Sequence, residues 1–129
     1  MKTDIPNIEQ FIKSKEKNKS VLSETNKSLI ENLHHSTLLN MSQIYLFQKK
    51  FEKTIDSVNK AIIIKESDKG RCRRAKAYIE INEFDKAKED LKIFEELTGD
   101  KCDDLLKLIR EKEKIEDKKL ASGLKKLFC

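Results

Sequence analysis

The sequence predicts an all-α protein: a solenoid of stacked helical hairpins with a long C-terminal capping helix. Two observations support this prediction. Helix breakers are rare in the 129 residues, with three glycines and one proline, Pro6, whereas folds built from strands need many more turn residues. The chain also contains an internal repeat, because the pattern of residues 38–66 recurs over residues 68–97. Repeated helical hairpins bury their apolar faces by stacking on one another.

Residues 1–35 are predicted to form degenerate N-terminal helices, an irregular first repeat that caps the stack. Apolar residues recur at helical spacing over Ile8–Ile12 and again over Val21–Leu33, with a lysine-rich tract between them. Neither stretch has the glycine and aromatic positions of the repeat pattern. His34 and His35 follow, on different sides of a helix and without Cys or Glu at ligand spacing. We therefore interpret them as surface residues and predict no metal site.

Residues 36–98 are predicted to hold two repeats, each a pair of helices joined by a tight turn. The first repeat is expected to place its helices over about Thr37–Gln48 and Phe51–Lys65. The second is expected to begin at Asp68 as the N-cap, to turn at Asn82-Glu83, and to end at Thr98-Gly99. Glycine at that end can adopt the left-handed conformation that terminates many helices.

The two repeats are related by one constant shift along the chain. Small residues at matching positions let paired helices approach closely, and aromatic residues fill the space beside them. The matching pairs are Ser42 and Ala75, Tyr45 and Tyr78, Phe51 and Phe84, Thr54 and Ala87, Val58 and Leu91, and Ala61 and Phe94.

Residues 99–129 are predicted to form the C-terminal capping helix and a basic tail. Asp100 is expected to be the N-cap, with Asp103 in the first turn. An apolar stripe should cover the open end of the stack, comprising Cys102, Leu105, Leu106, Leu108, Ile109 and Ile115. The tail that follows has four apolar residues on one side, Leu120, Leu124, Leu127 and Phe128, and four lysines supply its positive charge, Lys118, Lys119, Lys125 and Lys126.

Composition and charge exclude several classes of function. The net charge of +5 is mild for a chain in which 40% of residues are charged, and it does not require a nucleic-acid partner. Three cysteines at irregular spacing suggest neither a disulfide framework nor a zinc motif. No signal peptide or membrane span is visible, so we expect a cytoplasmic protein. No residue pattern indicates a cofactor or a catalytic site.

The spacing and composition of the repeats resemble the tetratricopeptide (TPR) repeat. In a TPR stack, the first helices of successive repeats line a concave surface. Lys69 and Arg73 are four residues apart and share a helix face, and Asn40 occupies the position of Arg73 one repeat earlier. A guanidinium, an ammonium and an amide together suit a carboxylate ligand. Lys69 and Arg73 without Asn40 would be typical of a solvated helix face.

Four segments are similar to the TPR domain of the immunophilin co-chaperones, the FK506-binding-protein and large-cyclophilin types of peptidyl-prolyl isomerase. They are LLNMSQIYL (38–46), DSVNKAI (56–62), DKGRCRRAKAY (68–78) and the run from Phe84 to Leu91, and the resemblance covers about residues 37–128. It implies a carboxylate clamp for the C-terminal EEVD tail of heat-shock protein 90 or 70. Asn40, Lys69 and Arg73 match three of the five clamp residues, and the other two have no clear counterpart.

Several functions remain open on the sequence alone. The chain is predicted to be a co-chaperone adaptor, or a TPR scaffold with an incomplete clamp that binds another protein. Nothing resembles a prolyl-isomerase site, so we expect no enzyme activity from this chain, although it could be part of a larger isomerase. Lysines interleaved with acids, without an aromatic platform, disfavour nucleic acid. The basic tail suits a solvated helix end, a calmodulin target or an anionic membrane surface.

Overall fold

The computed structural model describes residues 23–128, with side chains described for residues 23–127. This part of the chain contains five helices and no strand, which confirms the all-α prediction. The helices are α1 (Glu24–Phe47), α2 (Phe51–Ile64), α3 (Asp68–Glu80), α4 (Phe84–Thr98) and α5 (Asp103–Phe128). The helices expected within residues 1–22 lie outside the described residues.

Helix α1 is longer than the sequence pattern suggested. It begins at Glu24, so the predicted start near Thr37 was wrong. The reason is that no glycine or proline occurs between Glu24 and Thr37, and nothing in that interval interrupts a helix. The chain divides into two compact units, residues 1–34 and residues 35–129.

Residues 23–34 are the described part of the first unit, and they form the first turns of α1 with exposed side chains. The second unit contains the remainder of α1 and helices α2 to α5. All contacts discussed below lie within this second unit.

The same turn joins α1 to α2 and α3 to α4. Each turn contains one residue with left-handed backbone, Lys49 at φ 60° in the first and Asn82 at φ 62° in the second. The next N–H donates to a tyrosine carbonyl in both, from Lys50 to Tyr45 at 2.8 Å and from Glu83 to Tyr78 at 2.9 Å. These atoms occupy equivalent positions of the two repeats, so the predicted repeat is present in the backbone itself.

The buried positions also follow the repeat. Small side chains are fully buried in both hairpins, as predicted, and the second hairpin adds Ile79 and Leu91 to a cluster with Ile109 of α5. The fully buried hydroxyls of Ser42 and Thr54 in the first hairpin are satisfied locally, since Ser42 donates to the carbonyl of Leu39 and Thr54 to that of Lys50. Other buried residues at matching positions of the two hairpins include Val58, Ala61, Ala75 and Ala87.

Two predicted helix caps were wrong. The N-cap of α3 is Ser67, whose Oγ accepts from the N–H of Gly70 at 3.1 Å, and Asp68 is the first helical residue. Asp100 does not cap α5, because its Oδ1 accepts from the N–H of Cys102 in the preceding loop at 3.0 Å. Cys102 has a left-handed φ of 50°, so α5 starts only at Asp103. The predicted end of α4 at Gly99 is confirmed, with φ 79°.

Helix α5 covers the end of the second hairpin through Ile109, which is fully buried. Ile115 was expected to continue this contact, but it is exposed. A helix has about 3.6 residues per turn, and the spacing from Ile109 to Ile115 is far from a whole number of turns. Ile115 therefore lies on a different side of α5. The intervening turn contacts the hairpin through ion pairs instead, from Glu113 to Lys88 at 2.6 Å and from Lys112 to Glu80 at 3.8 Å.

Candidate functional site

The predicted carboxylate-binding residues lie on α1 and α3, and these helices approach each other closely at Gly70. A side chain at this position would crowd its neighbours, since a Cβ there would lie 3.1 Å from Leu39 Cδ2 on α1 and 3.4 Å from Val58 Cγ1 on α2. The missing Cβ therefore allows the first turn of α3 to pack against both helices of the preceding hairpin. Lys69 and Arg73 flank this close approach in sequence.

Arg73 joins the two helices by a direct hydrogen bond. Its Nη1 donates to the carbonyl oxygen of Leu39 at 2.7 Å, which also accepts from Ser42 Oγ at 2.6 Å. The guanidinium of Arg73 thus lies at the α1 backbone one residue before Asn40. One of its five N–H donors is used there, and a guanidinium can offer the others to a ligand. The structure therefore brings Arg73 to the segment of α1 that carries Asn40.

Lys69 and Asn40 are the other two predicted carboxylate-binding residues. Lys69 lies one helical turn before Arg73, and both it and Asn40 are exposed, whereas Arg73 is half-buried. Among residues 23–127, no Asp or Glu forms an ion pair with Lys69 or Arg73. Their positive charges are therefore not neutralised within this part of the protein. Carboxylate binding by these three residues stays a prediction.

The other two arginines of α3 face the opposite way. Arg71 and Arg74 are three residues apart and share the face that packs on α4. Both bind Asp90, which is only 1% exposed. Arg71 Nη1 donates to Oδ1 at 3.0 Å, and Arg74 donates to both carboxylate oxygens at 2.6 and 2.8 Å. Arg71 and Arg74 therefore stabilise the hairpin and are engaged by Asp90 rather than by a ligand.

Glu66 extends this network to the loop before α3. Arg71 donates from Nε and Nη2 to the two Glu66 carboxylate oxygens at 2.8 and 2.9 Å. This pairing lowers the pKa of the Glu66 carboxyl below its ordinary value, against the opposing effect of partial burial. It also raises the pKa of the Arg71 guanidinium. Sequence reasoning missed Asp90 as the centre of this network, because its partners on α3 are distant from it in sequence and only the packing of α3 on α4 joins them.

A cavity of about 530 Å³ lies between α3 and the beginning of α5. Cys72 and Lys76 line it from α3, and Asp100, Cys102 and Asp103 line it from the loop and first turn opposite. The irregular spacing of the cysteines in the sequence gives no indication that Cys72 and Cys102 line one cavity. One signal for this proximity was available in the repeat register. Cys102 occupies the position of Lys69 one repeat later, and Lys69 lies in the same turn of α3 as Cys72.

His35 Nε2 donates to the carbonyl oxygen of Lys65 at 2.9 Å, which ties α1 to the end of α2. Across residues 23–127, no group of three His, Cys, Asp or Glu side chains is placed to hold a metal ion.

The basic tail of α5 projects beyond its polar contacts with the second hairpin. Within the described residues, the last hydrogen bond between the second hairpin and α5 runs from Asn82 Nδ2 to Glu116 Oε1 at 3.3 Å. Leu120, Leu124 and Leu127 are exposed beyond it. None of the described helices is both long and apolar enough to cross a membrane.

Comparison with known proteins returned no relative: no protein-family model, curated protein or solved structure matches this chain.

Proposed function

We propose that this protein is a cytoplasmic interaction module that binds the C-terminal carboxylate of an acidic peptide. The proposed ligand is the EEVD-type tail of heat-shock protein 90 or 70, which would make the protein a co-chaperone adaptor related to the immunophilins. The observation that supports the proposal is the Arg73–Leu39 hydrogen bond, because it brings a guanidinium to the α1 backbone one residue before Asn40. Lys69 adds a second cation one turn away.

The chemistry of these three groups suits a chain terminus. Arg73 can engage a carboxylate through paired N–H donors, Lys69 contributes a point charge, and Asn40 contributes a neutral amide donor. A hydrogen bond that involves a charged group contributes roughly 1.5–3 kcal/mol to binding. No cofactor and no catalytic group is part of the proposal, so the protein is proposed to bind rather than to act on its ligand.

The test is calorimetry with a peptide ending in EEVD, on the wild type and on Arg73→Ala. The substitution should weaken binding by about 10- to 100-fold, since about 1.4 kcal/mol corresponds to a factor of ten. Amidation of the peptide's terminal carboxylate should weaken it similarly, and added salt should lower the affinity. Arg73→Lys should recover only part of the loss, because the charge returns without the planar fork.

Lys60→Ala is the matched control. Lys60 is an exposed cation on α2, paired with Asp56 at 3.1 Å, and its removal changes the net charge of the protein equally. The control should bind the peptide as the wild type does. Binding that is indifferent to Arg73 and to peptide amidation would exclude the carboxylate site.

The alternative function is a scaffold with an incomplete clamp that binds another protein. One observation favours it: Phe47, at the end of α1, is 87% exposed. Large aromatic side chains are typical anchors at protein interfaces, so Phe47 is available to contact a partner. Under this alternative no EEVD peptide binds, and Phe47→Ala releases a partner captured by pull-down.

The basic tail is proposed to bind calmodulin in either case, with Leu120 and Leu124 as anchors.

A further inference from the structure

Two thiols outside the proposed peptide site line one cavity. Cys72 lies on α3, and Cys102 lies in the loop just before α5. Both are free thiols with partly buried side chains. They come together because the buried Ile109 of α5 packs in one cluster with Ala75 and Ile79 of α3. The start of α5 is thereby held beside the first turns of α3.

The backbone of Cys102 is held in place from both sides. Its N–H donates to Asp100 Oδ1 at 3.0 Å, and its carbonyl accepts from the N–H groups of Leu105 and Leu106 at 3.0 and 3.1 Å. These bonds maintain a left-handed φ of 50° that a residue other than glycine rarely adopts. The thiol is therefore positioned at the cavity by a defined loop rather than by a freely moving chain.

Burial is the main influence on the acidity of Cys102. It raises the pKa of the thiol, the neighbouring Cys72 thiol and the Asp100 and Asp103 carboxylates raise it further, and the Lys76 ammonium opposes them. The thiolate is the form that attacks an oxidant or a disulfide, so its reaction should accelerate as the pH rises above neutral.

We propose that Cys72 and Cys102 are an oxidisable thiol pair that closes to an intramolecular disulfide with a peroxide. One thiolate attacks a peroxide oxygen, the O–O bond breaks, and a sulfenic acid and water form after proton transfer. The second thiolate then attacks that sulfur and displaces hydroxide, which leaves as water. Two thiols and one hydrogen peroxide thus give one disulfide and two waters.

The bond would connect α3, which carries Lys69 and Arg73, to the loop that starts α5. It would also restrict the unfolded chain by closing the loop between residues 72 and 102, which stabilises the folded state. This inference does not depend on the proposed peptide function, since it concerns only the two thiols and an oxidant.

The test uses the full chain and three variants, Cys72→Ser, Cys102→Ser and Cys129→Ser. Each protein is treated with hydrogen peroxide and alkylated, and its intact mass is measured by mass spectrometry. Cleavage after glutamate separates the cysteines, because residues 67–80 contain Cys72 and residues 97–111 contain Cys102. The wild type and Cys129→Ser should each lose two hydrogens and give the cross-linked pair of peptides. Their melting temperatures should be higher when oxidised than when reduced, and the reaction should be faster at higher pH.

Cys72→Ser and Cys102→Ser should keep their remaining thiols open to alkylation under the same treatment. Circular dichroism of the reduced variants establishes that they are folded like the wild type. The proposal is overturned if peroxide leaves Cys72 and Cys102 alkylatable in the wild type. It is equally overturned if the disulfide joins Cys129 or two separate molecules.

Discussion

Asp90 shows how one buried residue organises the second hairpin. A carboxylate removed from water is costly unless charged donors satisfy it, and Arg71 and Arg74 supply three hydrogen bonds from α3 to this single side chain on α4. Arg74 is held in turn by Asn59 Oδ1 at 2.7 Å. The equivalent position in the first repeat is Ser57, so the first hairpin has no carboxylate at this position.

Asp90→Ala should lower the free energy of unfolding by about 3–5 kcal/mol, because it leaves two guanidinium groups without their buried partner. Urea denaturation followed by circular dichroism measures the change. Asp56→Ala is the control: Asp56 forms an exposed ion pair with Lys60, and its loss should cost no more than about 0.5 kcal/mol. Equal effects of the two substitutions would contradict the structural role assigned to Asp90.

The arginines of α3 have distinct roles because of their positions around the helix. Arg71 and Arg74 lie on the α4 face, whereas Arg73 is directed to the carbonyl of Leu39 on α1. Helical periodicity alone places the neighbouring residues Arg73 and Arg74 on different sides of α3. It could not identify Asp90 as the partner, because that depends on the packing of α3 against α4.

The turns of the two hairpins have the same backbone conformation but different side chains at the left-handed position. Both turns need one left-handed residue, and the second repeat has Asn82 there, which tolerates this conformation better than most residues. The first repeat has Lys49 at φ 60°, a backbone conformation that is strained for a residue with a Cβ. The turn geometry was predictable from the repeat, but the strain at Lys49 was not, since it follows from the observed φ.

Lys49→Gly should raise the free energy of unfolding by about 0.5–1 kcal/mol, as relief of left-handed strain outweighs the added entropy of the unfolded chain. Thermal and urea denaturation measure it. Lys50→Gly is the control, since Lys50 has φ −93° and gains nothing from glycine; it should lower stability. A loss of stability in both variants would show that the strain at Lys49 is negligible.

At the scale of the whole molecule, α5 covers the end of the second hairpin through a short contact and then continues past it. Ile109 supplies the apolar contact, and the ion pair of Glu113 with Lys88 follows one turn later. The side chain of Leu120, in the outer turns, is largely exposed. The predicted capping role of this helix is therefore confined to its first half.

Ile109→Ala should lower the free energy of unfolding by about 2–5 kcal/mol, since it leaves a cavity between α5 and the second hairpin. Leu120→Ala removes a similar volume of side chain from a residue that is 66% exposed, and it should change stability by no more than about 0.5 kcal/mol. Denaturation of the two variants side by side checks this difference. Similar losses would mean that the outer turns of α5 are also packed.

The features that the sequence alone could predict are those that depend on residues close to one another in the chain. Rare glycine and proline, helical spacing and the internal repeat predicted helices, turns and the buried positions of Ser42 and Ala75. The same local reasoning placed helix starts at Thr37 and Asp100 incorrectly. In the first case no breaker stands just upstream, and in the second a left-handed Cys102 delays the helix.

Partners that lie across helices were decided only by the tertiary structure. The bond from Arg73 to the Leu39 carbonyl, the burial of Asp90 beneath two arginines, and the shared cavity of Cys72 and Cys102 each join residues that are far apart in sequence. Periodicity tells which side of a helix a residue occupies. It does not tell which neighbouring helix will meet that side, because that depends on how complete helices pack against one another.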